Sequence, residues 1–87
     1  SYRPGLSEEL TLWPDLITVE RHDPGGACQG WQANPYWVPV QIYPKARVEQ
    51  YLTLSGNGRE IELGAFLSPD KRVELYGEIK DALARLH

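Results

Sequence analysis

Polar and apolar residues alternate along several short stretches of the chain, a pattern typical of β-strands with one buried face. Residues 9–13 and 16–21 alternate in this way on either side of Pro14 and Asp15. Proline fixes φ and aspartate can bond its own backbone, so this pair favours a tight turn and a first hairpin. After a second turn, residues 28–33 predict a third strand.

A fourth strand is predicted over residues 37–43, and within it Pro39 marks an edge or a bulge because proline donates no ladder hydrogen bond. Residues 50–55 and 59–63 then alternate cleanly on either side of the Gly-Asn-Gly segment at 56–58. Its glycines supply the positive φ values of a tight turn, so these residues predict a second hairpin.

The end of the chain changes to the period of an amphipathic helix, predicted over residues 68–86. Ser68 is placed as the N-cap, Pro69 at the first helical position, and Asp70 where the helix dipole favours an acid. Arg72 lies within the apolar arc, and we expect it to reach the rim or to pair with a strand carboxylate. The arc itself consists of Leu75, Tyr76, Ile79, Leu83 and Leu86.

Four residues are predicted to have structural roles. Trp31 should anchor the third strand in the core, and Asn34, which precedes a proline, should cap the backbone where this strand ends. Gly64 should supply a bend or a close approach that a side chain would block. Phe66 should pack against the first turns of the helix.

Composition narrows the class of protein. Eighty-seven residues with 41% hydrophobic and 24% charged side chains are typical of one globular domain. The net charge of −3, with nine Lys and Arg among twelve acids, leaves no basic stripe for a nucleic acid. Cys28 is the single cysteine, which excludes an internal disulfide and favours a reducing compartment. No apolar run approaches the roughly 20 residues of a membrane-spanning helix, so the domain is predicted to be soluble.

Candidate chemistry is sparse. Cys28 and His22 flank a turn and could act together in a thiol enzyme, but a surface turn offers no pocket. A structural zinc needs four ligands, and the only other histidine is His87. Glu60 and Glu62 lie on the solvent face of their strand, whereas acid-base pairs need a desolvated member. We therefore expect no catalytic residue, no cofactor and no metal site.

A group of aromatic and amide side chains is the best candidate for a contact surface. Its members share the strand face opposite the core, and they are Trp37, Gln41, Tyr43 and Tyr51. One interpretation is a cross-strand ladder that stabilises an exposed sheet. The other is a contact patch for a partner protein or for the lipid interface, where Trp and Tyr rings are favoured.

Two motifs carry a resemblance to a known family. Residues 31–38 contain a Trp followed by Asn-Pro-Tyr-Trp-Val, and residues 58–72 read Gly-Arg-x-x-Glu-Leu-Gly-x-Phe-Leu-Ser-Pro-x-x-Arg. The chain resembles, over residues 6–86, a bacterial family of small integral membrane proteins of unknown function. Pro39 and Ala65 depart from this family, which often carries a charged residue at these positions.

The resemblance implies a location. Two transmembrane helices would precede this domain in the full protein, with residues 1–5 as the linker. Two crossings return the chain to its starting side, so the domain would face the cytoplasm at the inner membrane. The resemblance brings no catalytic residues.

These observations predict an α+β domain of about six or seven antiparallel strands within residues 6–63, closed by the C-terminal helix. The strands would form one strongly bent sheet or a partly open barrel, similar to pleckstrin-homology domains. The alternative is a flat sheet of about four or five strands with the helix on one face.

The expected function is a non-catalytic, cytosolic, membrane-apposed binding or accessory module. Its partner would be a membrane protein or the lipid interface, and no nucleic acid. Two alternatives remain, a small thiol-dependent enzyme that uses Cys28 and His22, and a self-associating structural domain.

Overall fold

The computed structural model describes residues 7–86, which form six β-strands, a short 3-10 helix and one α-helix. The predicted linker at 1–5 and the terminal His87 lie outside these residues. The 3-10 helix is Pro35–Trp37, and α1 is Pro69–Arg85. The strands are β1 (Ser7–Trp13), β2 (Leu16–His22), β3 (Cys28–Ala33), β4 (Val40–Tyr43), β5 (Tyr51–Gly56) and β6 (Arg59–Leu63).

The strands form two separate antiparallel sheets of three strands each. Sheet A has the order β1-β2-β3 and sheet B the order β4-β5-β6. The α+β class and the single C-terminal helix are confirmed. Residues 7–86 form neither the predicted single strongly bent sheet or partly open barrel nor the alternative flat sheet of four or five strands. The 3-10 helix lies between β3 and β4, where the chain passes from sheet A to sheet B.

The hydrophobic core joins the two sheets and the helix. Trp31 on β3 is buried, as predicted, and its indole Nε1 donates a hydrogen bond to the Gly56 carbonyl at 3.0 Å. Side chains from β2, β5, β6 and α1 surround it, so both sheets and the helix contribute to the core. The other buried hydrophobic residues are Ile17, Val19, Val38, Leu52, Leu54, Leu63, Ile79 and Leu83.

Both predicted hairpins are present. The second turns at Asn57 and Gly58, which have φ of 54° and 77°, so an Asn-Gly pair makes the tight turn that was assigned to two glycines. Gly56 is part of β5 and has another role. A Cβ at Gly56 would lie 3.0 Å from the Ala33 Cβ and 3.1 Å from Trp31, so this glycine permits close packing against β3.

The predicted fourth strand is shorter than expected. Asn34 is the N-cap of the 3-10 helix, and its side-chain Oδ1 accepts a hydrogen bond from the Tyr36 amide at 3.0 Å. Pro35 follows at the first helical position, where its missing N–H costs nothing. Trp37 therefore lies in this helix and not on a strand. Pro39 precedes β4, which is an edge strand as the proline indicated.

The helix begins as predicted, and the Ser68 side chain accepts a hydrogen bond from the Lys71 amide. Arg72 contradicts both expectations, since it neither reaches the rim nor bonds a strand carboxylate. Its side chain is buried and donates three hydrogen bonds to the backbone carbonyls of Gly64, Ala65 and Glu49, at 3.0, 3.0 and 2.6 Å.

Gly64 makes the bend that was predicted before the helix. It is buried with φ of 67°, and a Cβ here would lie 3.0 Å from the Leu67 side chain. Its carbonyl accepts from both Leu67 N and Arg72 Nε. Phe66 is half-buried. No helix among residues 7–86 is long and apolar enough to cross a membrane.

Candidate functional site

The four predicted contact residues divide between two places. Gln41 and Tyr43 lie on β4 and Tyr51 lies opposite Tyr43 on β5, whereas Trp37 lies before β4 in the 3-10 helix. Tyr43 is the last residue of β4, so the tyrosine pair and Trp37 are at opposite ends of this strand. The four residues do not form one patch.

The β4 and β5 residues form a hydrogen-bonded ladder on the outer face of sheet B. The Tyr43 hydroxyl lies 2.8 Å from Gln41 Oε1 and 3.2 Å from Glu60 Oε2, so its single proton faces two acceptors. Glu60 Oε2 also accepts from the Thr53 hydroxyl at 2.9 Å. The Tyr43 and Tyr51 rings are tilted with centroids 6.1 Å apart. These contacts support the cross-strand ladder for this group.

The electrostatics of this ladder favour the neutral phenol. The pKa of Tyr43 lies above its ordinary value because desolvation and the charge of the neighbouring Glu60 carboxylate both disfavour the phenolate. At neutral pH Tyr43 therefore remains a hydrogen-bond donor.

Trp37 belongs instead to a group of exposed aromatic side chains, which we call the aromatic end. It comprises Trp13, Tyr36 and Trp37, with exposed fractions of 57%, 59% and 74%. The rings of Tyr36 and Trp37 meet edge to face with centroids 4.7 Å apart. These three are the most exposed of the large hydrophobic residues in the described part of the chain.

Strand register places these residues at the same end of sheet A. Trp13 is paired with Leu16 beside the β1-β2 turn, and Ile17 is paired with Ala33 at the end of β3. The chain continues from Ala33 through Asn34 into the 3-10 helix. Hence Trp13, at the end of β1, and the 3-10 helix that carries Trp37 both adjoin this end of sheet A.

A surface groove adjoins Trp37 at this end. Its volume is about 250 Å³, and most of its wall is apolar. It is lined by Ala33, Asn34, Trp37, Val38, Gly56 and Asn57. The aromatic end therefore includes a concave surface beside the exposed ring of Trp37.

Sequence reasoning missed the membership of Trp13 in this group. The sequence did indicate that Trp13 is exposed, because alternation places it on the solvent face of β1, directly before the turn proline. A single exposed ring is common on protein surfaces, so Trp13 becomes a candidate contact residue only together with the other exposed rings. Its position at the same end of sheet A as the 3-10 helix depends on the pairing of β2 with β3, which the sequence pattern does not show.

Cys28 and His22 lie directly opposite each other on β3 and β2, as their positions beside the turn suggested. Both are exposed, and Cys28 is a free thiol. Within residues 7–86 there is no group of three or more His, Cys, Asp or Glu side chains that could hold a metal ion.

Another polar region lies between the sheets. Glu8, Arg21 and Gln29 form one register row on the inner face of sheet A, and we call this the polar row. Glu8 Oε1 accepts a hydrogen bond from the Gly64 amide at 2.9 Å. The pKa of Glu8 is raised, because burial and the nearby Glu62 charge outweigh the hydrogen bond and the attraction of Arg21.

The fold and its surface define a small α+β domain with aromatic rings exposed at one end. The chain belongs to the family described as "Integral membrane protein (DUF2244)", whose profile matches residues 2–83. No curated protein and no solved structure gives a significant match. The resemblance to a family of integral membrane proteins is thus confirmed, while the two preceding transmembrane helices stay a prediction.

Proposed function

We propose that this chain is a non-catalytic, membrane-apposed binding or accessory module whose aromatic end contacts the lipid interface. One observation carries the proposal, the joint exposure of Trp13, Tyr36 and Trp37 at one end of the domain. Small domains seldom leave large rings exposed together without a contact to make.

The chemistry of these side chains suits a bilayer surface. Trp and Tyr have an apolar ring and a polar N–H or O–H group, so they are favoured where the hydrocarbon meets the headgroups. Membership of an integral membrane family supports a bilayer surface as the partner of this domain. The lipid interface is therefore the partner whose chemistry fits the aromatic end best.

We further propose that the domain faces the cytoplasm at the inner membrane. An exposed free thiol at Cys28 is more readily kept in a reducing compartment. The two preceding transmembrane helices that the family resemblance implies would return the chain to the cytoplasmic side.

Vesicle co-sedimentation of the 87-residue chain tests the proposal. Because the chain is acidic, vesicles of phosphatidylcholine avoid electrostatic repulsion. We expect Trp13→Ala and Trp37→Ala each to reduce the partition coefficient by roughly fivefold, the effect of losing about 1 kcal/mol from a partly inserted ring. Tyr43→Ala is the matched control, since it removes an exposed ring from the outer face of sheet B.

The variants separate this proposal from its alternatives. Equal losses for Tyr43→Ala and Trp37→Ala would contradict a specific role for the aromatic end. Absence of vesicle binding by the unmodified chain would favour a membrane-protein partner. A defect in cellular function that follows Cys28→Ser with an intact fold would favour the thiol enzyme, and a concentration-dependent mass in sedimentation would favour the self-associating domain.

A further inference from the structure

Sheet B ends at β6, which has β5 on one side and no strand on the other among residues 7–86. The direction of its backbone groups follows from β5. The Ser55 amide donates to the Pro39 carbonyl at 3.2 Å, so the backbone of Ser55 faces β4. Ser55 is directly opposite Glu60, and these two residues are therefore a pair without mutual hydrogen bonds.

It follows that the backbone amide and carbonyl of Glu60 point away from β5, and by alternation those of Glu62 do the same. Gly64 continues this phase, and its amide bonds Glu8 Oε1 on sheet A. The free edge of β6 thus offers the backbone groups of Glu60 and Glu62 and ends where Glu8 caps Gly64.

The space beside this edge is open. A cavity of about 200 Å³ lies between β6 and the polar row of sheet A. The polar row lies on the same face as the core residue Val19, two positions along β2 from Arg21. At the polar row, the inner face of sheet A extends beyond β6, where no further described strand of sheet B covers it. Polar side chains suit this uncovered position.

We propose that β6 accepts an extended segment of a partner protein as a fourth strand of sheet B, with basic residues opposite Glu60 and Glu62. Added strands bond an exposed edge through main-chain groups, and side chains set the specificity. The Glu60 and Glu62 side chains share one face of β6, and opposite charges stabilise directly paired positions. The partner segment would therefore carry Lys or Arg at alternate positions and pack its other face over the polar row.

A second copy of the chain fits this edge poorly. Antiparallel pairing of two β6 strands about Ile61 would place Glu60 of each copy opposite Glu62 of the other, and like charges in such pairs are destabilising. The same acids that attract a basic strand therefore discourage self-pairing. This inference deepens the proposed binding role but uses a surface away from the aromatic end.

The test uses the whole chain and a capped synthetic peptide in which lysine and threonine alternate. Nuclear magnetic resonance would follow the amides of Glu60 and Glu62, which should exchange fast in the free protein and become protected with the peptide. A peptide with glutamate in place of lysine is the matched control. We expect it to bind more weakly by about fivefold for each charge pair lost.

One change in the protein and one in the peptide test the charge pairs and the main-chain hydrogen bonds separately. Glu62→Lys should abolish the preference, so that the two peptides bind about equally, because Glu60 and the introduced lysine favour opposite charges. Methylation of the peptide amides should abolish binding because it removes main-chain donors. Equal binding of the methylated peptide, slow exchange of both amides in the free protein, or protection that rises with protein concentration alone would overturn the proposal.

The results of the peptide-binding experiment and of the vesicle experiment are independent of each other. Trp37→Ala should leave peptide binding unchanged, and Glu62→Lys should leave partition into phosphatidylcholine unchanged. Failure of the peptide experiment with intact vesicle binding would remove the strand partner alone. The opposite result would remove the lipid contact and leave the strand partner.

Discussion

Glu8 shows how one residue connects the two sheets and makes the fold sensitive to pH. Its carboxylate on β1 accepts a hydrogen bond from the Gly64 amide beyond β6, so it bridges sheet A and the junction before the helix. Burial nevertheless raises its pKa above the ordinary value of 4.5, with Glu62 adding to the shift. The folded protein therefore holds this proton more tightly than the unfolded chain does.

The first prediction follows from this raised pKa. Between the ordinary and the raised pKa the folded state binds more protons, so stability should fall as pH rises through that window and stay lowered above it. Glu8→Gln retains an Oε1 acceptor for Gly64 and removes the charge. Urea unfolding should find this variant at least as stable as the original chain at neutral pH, with a flatter pH dependence from about pH 4.5 upward.

The matched control is Glu9→Gln, which changes an exposed neighbour on the other face of β1. It makes the same change from carboxylate to amide away from Gly64, so the difference between the pH curves of the two variants isolates the contribution of Glu8. If Glu8→Gln instead lowers stability at neutral pH and its pH curve stays parallel to that of the original chain, the carboxylate is stabilising and the account of Glu8 is wrong.

At the scale of elements, Arg72 fixes the start of α1 against its surroundings. Its guanidinium donates to Gly64 and Ala65 in the junction before the helix and to Glu49 in the connection before β5. Guanidinium groups present donors in a fixed planar arrangement, which suits several carbonyls at once. One side chain thus ties the helix, the junction and a loop together.

Arg72→Met should lower the free energy of unfolding by about 3 kcal/mol, because three backbone carbonyls, of which that of Gly64 is buried, lose charge-assisted hydrogen bonds. Arg72→Lys should give an intermediate loss, since an ammonium group cannot reproduce the planar arrangement. Denaturant unfolding measures both. A loss below about 0.5 kcal/mol for Arg72→Met, the usual range for surface changes, would show that these hydrogen bonds contribute little.

For the molecule as a whole, the features that the sequence predicted correctly are those set by interactions between residues close together in the chain. The β5-β6 hairpin and the Ser68 cap were predicted because turn and cap residues act on their own neighbours. Trp37 was placed on a strand because alternation alone cannot show that Asn34 caps a 3-10 helix. The partners of Arg72 were missed because they are backbone carbonyls, which no residue pattern marks.

The division into two sheets and the gathering of the aromatic end share the same limitation. Both depend on contacts between strands that are distant in sequence, such as the pairing of Ile17 with Ala33. The alternation of polar and apolar residues predicts which face of each strand is buried. It does not predict which strands pair with each other. The aromatic end, on which the proposed function depends, could therefore be identified only from the structure.

Quenching of tryptophan fluorescence by brominated lipids in phosphatidylcholine vesicles tests contact between the aromatic end and the lipid interface directly. Trp13 and Trp37 are exposed at the aromatic end, whereas Trp31 is 7% exposed in the core and serves as an internal control. We predict a blue shift and strong quenching for the original chain, and little quenching for a Trp13→Phe, Trp37→Phe variant that retains Trp31. Unchanged emission of the original chain, or equal quenching of the variant, would contradict contact between the aromatic end and the lipid interface.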